Sequence, residues 1–436
     1  MQGRCLLTFC IAAVMQAQQD PANLLRLVQS KVADTLDRIP RYMCTQTIDR
    51  AQYEPHVYAR TCDIDPTQPS AHLTSSDRLR LDVALTSTGE VYSWVGESRF
   101  DDRDLLDMVQ DGAISTGNFA TFLRVIFRTD DANFTYDGDS PENGRVLAEF
   151  GFRVPYEKSH YRFGKRPNAV TIGYDGTFLV DVKTGELVRL VVRTSRLPAE
   201  TGACYSTTTM DYAPTRLSDK DILLFPTESR LRIANINGVE FENHTAFSAC
   251  HEFLGESILT FDSPSDGLAS AAQQGPASHG FIIPSGLPFR VALTQGIDTA
   301  AAAAGDPIKA KLTTPIRRGS KVLVPAGAAV VCRLVRMRQF YGSNPSVAID
   351  IKLETVRVGS ASVRITATPD IGGSFQETKK GALRRRVELG TLRSLGDRSA
   401  AFVFRDVSQP YLISSGLESM WVTANPAVAD SLSNQK

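Results

Sequence analysis

Residues 169–194 read AVTIGYDGTFLVDVKTGELVRLVVRT, and this stretch decides the fold class. Valine, leucine and threonine alternate with polar residues at a period of two, the pattern of strands with one buried face. Two turn signals, Asp175–Gly176 and Thr184–Gly185, interrupt the alternation. Asp-Gly between alternating runs marks a hairpin, because type I′ turns need positive φ. The stretch predicts short antiparallel strands in quick succession.

Outward from it the same pattern recurs. LRLDVALTSTGEVYSWVG at 79–96 alternates on both sides of Thr88–Gly89. YMCTQTIDRAQYEPHVYARTC at 42–62 reads as a strand, a turn near Tyr53–Glu54–Pro55 and a returning strand. Helical signals punctuate this meander. Asp20 and Pro21 can start a helix, and Leu24, Leu25, Val28, Val32 and Leu36 give it one apolar stripe before Pro40 ends it. RDLLDMVQDG predicts a short helix closing at Gly112, with Asp101, Asp102 and Asp104 favouring its N-terminus. TGNFATFLRVIFR predicts another, capped by Thr116, with Phe119, Leu123, Ile126 and Phe127 on one side.

The expected organisation is mainly β. A signal peptide occupies 1–17, an α+β unit 20–262, a linker 263–280, an all-β unit 281–424 and a disordered tail 425–436. The first unit is a curved antiparallel sheet with covering helices. The second, nearly all short strands between Pro/Gly turns, is a small barrel or sandwich. Length agrees, since 436 residues exceed one ordinary core. The net charge is zero, yet residues 281–436 carry 21 Lys and Arg against 11 Asp and Glu. The first 280 residues are acidic by the same margin, so the halves carry opposite charge.

Arg4, the apolar run Cys5–Met15 and Ala17 predict export. The run is too short to span a bilayer, and Cys10 after Phe9 is not a lipidation site, so a mature chain with no transmembrane helix is expected in the periplasm or outside. Cysteine usage fits, with Cys44, Cys62, Cys204, Cys250 and Cys332 scattered and never in a CxxC pair. Folding 42–62 about its turn predicts a Cys44–Cys62 bridge, and Cys204–Cys250 follows by elimination. Cys332, in the apolar run AAVVCRLV, is expected as a buried free thiol.

Ile283-Pro284-Ser285-Gly286, Gly305-Asp306 and Val324-Pro325-Ala326-Gly327-Ala328 resemble the start of the β-barrel domain of the scaffold protein in conjugation and type IV secretion complexes. The likeness implies a fold, not secretion, since no pore-forming amphipathic helices accompany it. The leading helix, the meander with Y-D-G-T-F-L-V-D and the later Arg189-Leu190 resemble the half-barrel of periplasmic lipoprotein carriers, implying an acyl chain held between sheet and helices. The whole layout resembles exported proteins of soil bacteria.

Catalytic motifs are not found. The chain contains no H-E-x-x-H, G-x-S-x-G, P-loop or G-x-G-x-x-G. His244 and His251 flank Cys250, but their spacing matches no metal or nucleophile geometry, so surface or strand-edge positions are expected. Asp137, Asp139 and Glu142 place oxygen ligands in one short loop, a weak calcium candidate that lacks the EF-hand pattern. Lys379, Lys380, Arg384, Arg385 and Arg386 form a basic loop suited to a partner or an anionic surface, with too few aromatics for nucleic acid. Trp94 and Trp421 read as core anchors. The resulting expectation is a non-catalytic envelope binding or scaffold protein without a cofactor, holding an acyl ligand or a protein partner. The alternatives are a secreted hydrolase with a spatially assembled site, or a purely structural assembly protein. A polar cleft with convergent carboxylates and histidine would favour the hydrolase.

Overall fold

The computed structural model describes residues 20–39, 42–55, 62, 71–86, 89–97, 100, 105–109, 112–164, 169–195, 197–217, 222–252, 283–370 and 399–425. The expected signal, linker and basic loop lie outside these residues, as does the tail beyond 425. Strands dominate. The first half carries β1 (Tyr42–Pro55), β2 (Ala71–Leu85), β3 (Glu90–Trp94), β4 (Asn133–Glu142), β5 (Arg145–Val154), β6 (Arg162–Phe163) and β7 (Val170–Thr171). It continues with β8 (Tyr174–Asp181), β9 (Leu187–Ser195), β10 (Ala203–Arg216), β11 (Ile222–Asn235) and β12 (Glu240–Glu252). Helices α1 (Pro21–Arg38), α2 (Leu105–Met108) and α3 (Thr121–Arg128) accompany them.

The first-half sheet runs β4-β5-β8-β9-β10-β11-β12-β1-β2-β3, antiparallel at every step. Helix α1 starts where Asp20 accepts the Ala22 N–H at 3.1 Å, and Leu24, Val28, Val32 and Leu36 are buried. That spacing puts one stripe on the sheet. Helix α3 buries Phe122, Leu123, Ile126 and Phe127, and Phe127 meets Phe178 of β8 edge-to-face at 5.0 Å. Its cap is not Thr116. The Glu90 carboxylate, from β3, accepts the N–H groups of Gly117, Ala120 and Thr121 at 2.9–3.1 Å.

Two further expectations are corrected. Asp175–Gly176 is no turn, because β8 runs straight through it, paired with β5 and β9. A Cβ at Gly176 would lie 1.8 Å from the Val191 carbonyl and 2.7 Å from the Phe152 ring, so glycine there permits close strand approach. Thr184–Gly185 does turn the chain, and Gly185 takes φ +68°. The second correction concerns the disulfides, which join Cys44 to Cys250 and Cys62 to Cys204. The strand returning from β1 begins at Ala71, and Cys44 sits opposite Val83 rather than Cys62. On its other edge β1 pairs β12, which brings Cys250 alongside at the irregularity between Met43 and Thr45.

The second half comprises β13 (Pro288–Leu293), β14 (Ile297–Asp298), β15 (Pro307–Leu312), β16 (Ile316–Arg318), β17 (Lys321–Val324) and β18 (Ala329–Phe340). It ends with β19 (Ser346–Val358), β20 (Ala361–Arg364), β21 (Ala367–Pro369), β22 (Ser399–Arg405), β23 (Leu412–Ile413) and β24 (Glu418–Thr423). Its main order is β21-β24-β13-β15-β18-β19-β22. These strands enclose their own apolar cluster around Trp421, Phe289 and Phe402, with the free thiol Cys332 inside. Each such side chain contributes about 1.5–3 kcal/mol by leaving water. Trp94 belongs to the separate cluster of the first half, with Phe119, Phe150 and Phe178. The halves meet where Arg338–Phe340 of β18 pair with Asp77–Ser75 of β2, joining both into one 18-stranded sheet.

Candidate functional site

Alternation divides the first-half sheet into two faces. The helix-facing side is mostly apolar beneath the helices, where Phe119 lies 5.6 Å from Phe225 and 6.0 Å from Phe247 between ring centroids. The opposite face is polar, and its residues fall into cross-strand rows. Thr209 of β10 pairs with Arg230 of β11, Arg230 with His244 of β12, His244 with Asp49 of β1, and Asp49 with Arg78 of β2. The neighbouring row runs Thr207, Arg232, Glu242, Ala51, Ser76 and then Gln339 of β18. Over these rows lies a cleft of about 700 Å³, walled also by Tyr53, Tyr205, Met337 and the segment Thr299–Ala300 of the second half. The junction between the halves therefore makes one wall of the cleft. The Arg78 guanidinium holds that wall by donating to the Ala300 carbonyl at 2.7 Å.

The charges of the cleft are matched. Arg78 binds Asp49; behind them, on the opposite face of the sheet, Arg50 binds Asp77 through two hydrogen bonds of 2.6 and 2.7 Å and donates to the Ala113 carbonyl. Arg232 binds Glu240 at 2.7 Å and reaches Glu242 at 4.0 Å. His244 Nε2 lies 3.1 Å from Glu228, and this hydrogen bond holds the Glu228 carboxyl below the usual range. Burial pushes the Tyr53 hydroxyl above its ordinary pKa, reinforced by the adjacent Glu242 carboxylate. The walls therefore present paired hydrogen-bond donors and acceptors.

A smaller pocket of about 290 Å³ opens on the helix-facing side, lined by Ile114, Tyr161, Phe163, Leu231, Ile233 and Phe241 among others. Burial pushes the Tyr161 hydroxyl up to about 12 there.

The sequence-derived candidates fall elsewhere, with one exception. Asp137, Asp139 and Glu142 lie on strand β4, not in a loop, and the chain turns after them at Asn143–Gly144. Among the described residues no three His, Cys, Asp or Glu side chains group to hold a metal. Lys379, Lys380, Arg384, Arg385 and Arg386 lie outside the described residues. His251 is exposed, its Nδ1 2.7 Å from the Ala249 carbonyl. The exception is His244, expected at a surface or strand edge, which stands in the middle of the cleft. The arginines and threonines around it carry no distinguishing signal in the sequence, because a polar residue at every second position is the pattern of any solvated sheet face. No described helix is long and apolar enough to cross a membrane.

No protein-family model matches this chain, and no curated protein matches it in sequence. Several solved structures resemble part of it, three of which follow. A LolA superfamily protein from Nitrosomonas europaea is 10% identical with a TM-score of 0.25, covering 52% of this chain and 91% of its own. A proposed outer membrane lipoprotein-sorting domain from Vibrio parahaemolyticus is 10% identical with a TM-score of 0.27, covering 53% and 92%. A DUF1329 family protein from Desulfovibrio piger is 7% identical with a TM-score of 0.27, covering 55% and 97%.

Proposed function

We propose that this chain is a non-catalytic binding protein of the bacterial envelope, periplasmic or secreted, with a polar ligand seated in the cleft on the outward sheet face. One observation carries the reading: the cleft is large and lined by hydrogen-bonding side chains, yet its carboxylates and histidine are engaged with one another or with arginines. Such walls hold a ligand without converting it. Two disulfides support an oxidising compartment. The proposal includes two units, 20–262 and 281–424, and a basic stretch at Lys379, Lys380 and Arg384–Arg386 that docks to an envelope protein or anionic surface.

The test is to incubate the purified protein with a periplasmic extract and examine it by native mass spectrometry. A bound species recovered chemically intact, and lost when Arg230 is replaced by Met, supports binding. Recovery of a cleaved species, abolished in Glu242→Gln or His244→Ala, would establish the hydrolase instead.

The helix-side pocket favours a second reading, an acyl chain entering beside Tyr161 and Phe163. Its volume of about 290 Å³ is near the lower end for small-molecule sites. Solvent extraction of the purified protein tests it: a stoichiometric acyl species supports the reading, and lipid-free protein removes it.

A further inference from the structure

We infer that the ligand of the outward cleft is an uncharged oligosaccharide laid across strands β10, β11, β12, β1 and β2; this rests on the binding-protein reading above. The cleft floor is the face of a sheet, so it presents side chains and not the free backbone groups of a strand edge. A peptide adding itself as a strand has nothing to pair with there.

Charge narrows the choice further. Asp49 and Glu242 stand among Arg78, Arg230 and Arg232, with Glu228 bound to His244 and 3.2 Å from Arg230. A polyanion would meet Asp49, Glu242 and Glu228, and a polycation would meet the arginines. Neither sign of charge gains along the whole length. A hydroxyl group both donates and accepts, so a hydroxyl-rich neutral chain is satisfied at every step of alternating donors and acceptors. Thr207, Thr209, Ser76 and Gln339 supply neutral partners along the same two rows.

Size and shape agree. Five strands about 4.8 Å apart make a floor about 19 Å across, and the strand pitch is close to the length of one pyranose residue. Tyr53 and Tyr205 are among the lining residues, and aromatic rings suit the apolar side of a sugar ring.

Isothermal titration of the full chain with linear neutral hexasaccharides of glucose and N-acetylglucosamine tests the inference. Polygalacturonate, poly-glutamate and phosphatidylglycerol vesicles serve as the other arms. The expected result is binding of at least one neutral oligomer, unaffected by raising the salt. Replacing Arg230 by Met or Thr209 by Val should weaken it roughly tenfold, the effect of one or two lost hydrogen bonds. Both positions are solvent-facing, and a melting curve confirms that the variants fold. Binding only to an acidic polymer, lost in the same variants and screened by salt, would overturn the neutral-saccharide class while leaving the binding-protein reading standing. Binding that survives both variants, or none in any arm, would overturn the inference outright. Release of shorter sugars would overturn the binding-protein reading itself.

Discussion

Arg50 and Asp77 show how a side chain on a sheet face becomes structural. Their side chains are 7% and 9% exposed and share two short hydrogen bonds, while Arg50 also crowds the chain at Gly112. Replacing Asp77 by Asn leaves a buried guanidinium without its counter-charge, which costs about 3–5 kcal/mol. The expected outcome is a urea midpoint well below the parent's with an unchanged slope; a midpoint near the parent's would mean that water reaches the pair. Burial acts differently on Cys332, whose thiol is pushed up from 9.0 to about 12. Below pH 9 both folded and unfolded chains keep this proton, so the stabilisation is fully present. As pH rises from 9 toward 12 the unfolded chain loses the proton first, and stability falls. Tyr161 adds to the same alkaline loss, since its hydroxyl is raised to about 12 as well. Melting temperature should therefore drop across that window, and Cys332→Ala should reduce the slope. A thiol reagent at neutral pH should leave the native protein unlabelled. At this scale the buried free thiol was legible from its apolar neighbours. The disulfide partners were not, because sheet order, and not distance along the chain, brings Cys44 to Cys250.

Elements were legible where a local pattern suffices. Helix α1 carries its own cap and stripe, and it forms where the spacing puts it. Helix α3 is different: its apolar face was legible, while its cap is supplied by Glu90, which lies on β3, far from the helix in sequence. A carboxylate accepting three N–H groups at a helix start combines capping with dipole complementarity. Replacing Glu90 by Ala should cost about 2 kcal/mol, while Thr116→Ala should cost a few tenths. Chemical denaturation of the two variants checks the ranking, and an equal effect would return the cap to Thr116. Strand β8 teaches the complementary lesson. Asp-Gly is a turn signal only when neighbours leave room for a turn, and here β5 and β9 claim both edges. Gly176→Ala must displace the Val191 carbonyl or the Phe152 ring, so it should destabilise by about 2 kcal/mol or more. Loss of amide protection in β8 and β9 by hydrogen exchange would locate the damage.

The whole molecule turns on the junction between its halves. Three residues of β18 add to the edge of β2, Arg80 reaches across to Asp306, and the Arg333 guanidinium donates to the Val95 carbonyl at 2.9 Å while binding Glu354. A Cβ at Gly305 would lie 2.1 Å from the Arg80 carbonyl, so backbone packs on backbone at this seam. Composition hinted at attraction through opposite net charge, but the binding cleft itself was not legible, since its walls come from segments more than 200 residues apart that this seam brings together. The proposed two-unit division can be tested at the same seam. Both disulfides lie within the first half, and Cys332 is free, so cleaving a protease site inserted within residues 263–280 leaves none of these five cysteines linking the fragments. Backbone pairing and the buried Arg333 network should keep the fragments together with a dissociation constant of about micromolar or tighter, equivalent to roughly 8 kcal/mol. Size-exclusion chromatography of the cleaved protein should then show one peak, separating at a lower urea concentration when Arg80 is replaced by Ala. Two peaks without denaturant would make the halves independent bodies, and a ligand spanning the cleft, touching both Arg230 and Gln339, would then be expected to draw them back into one.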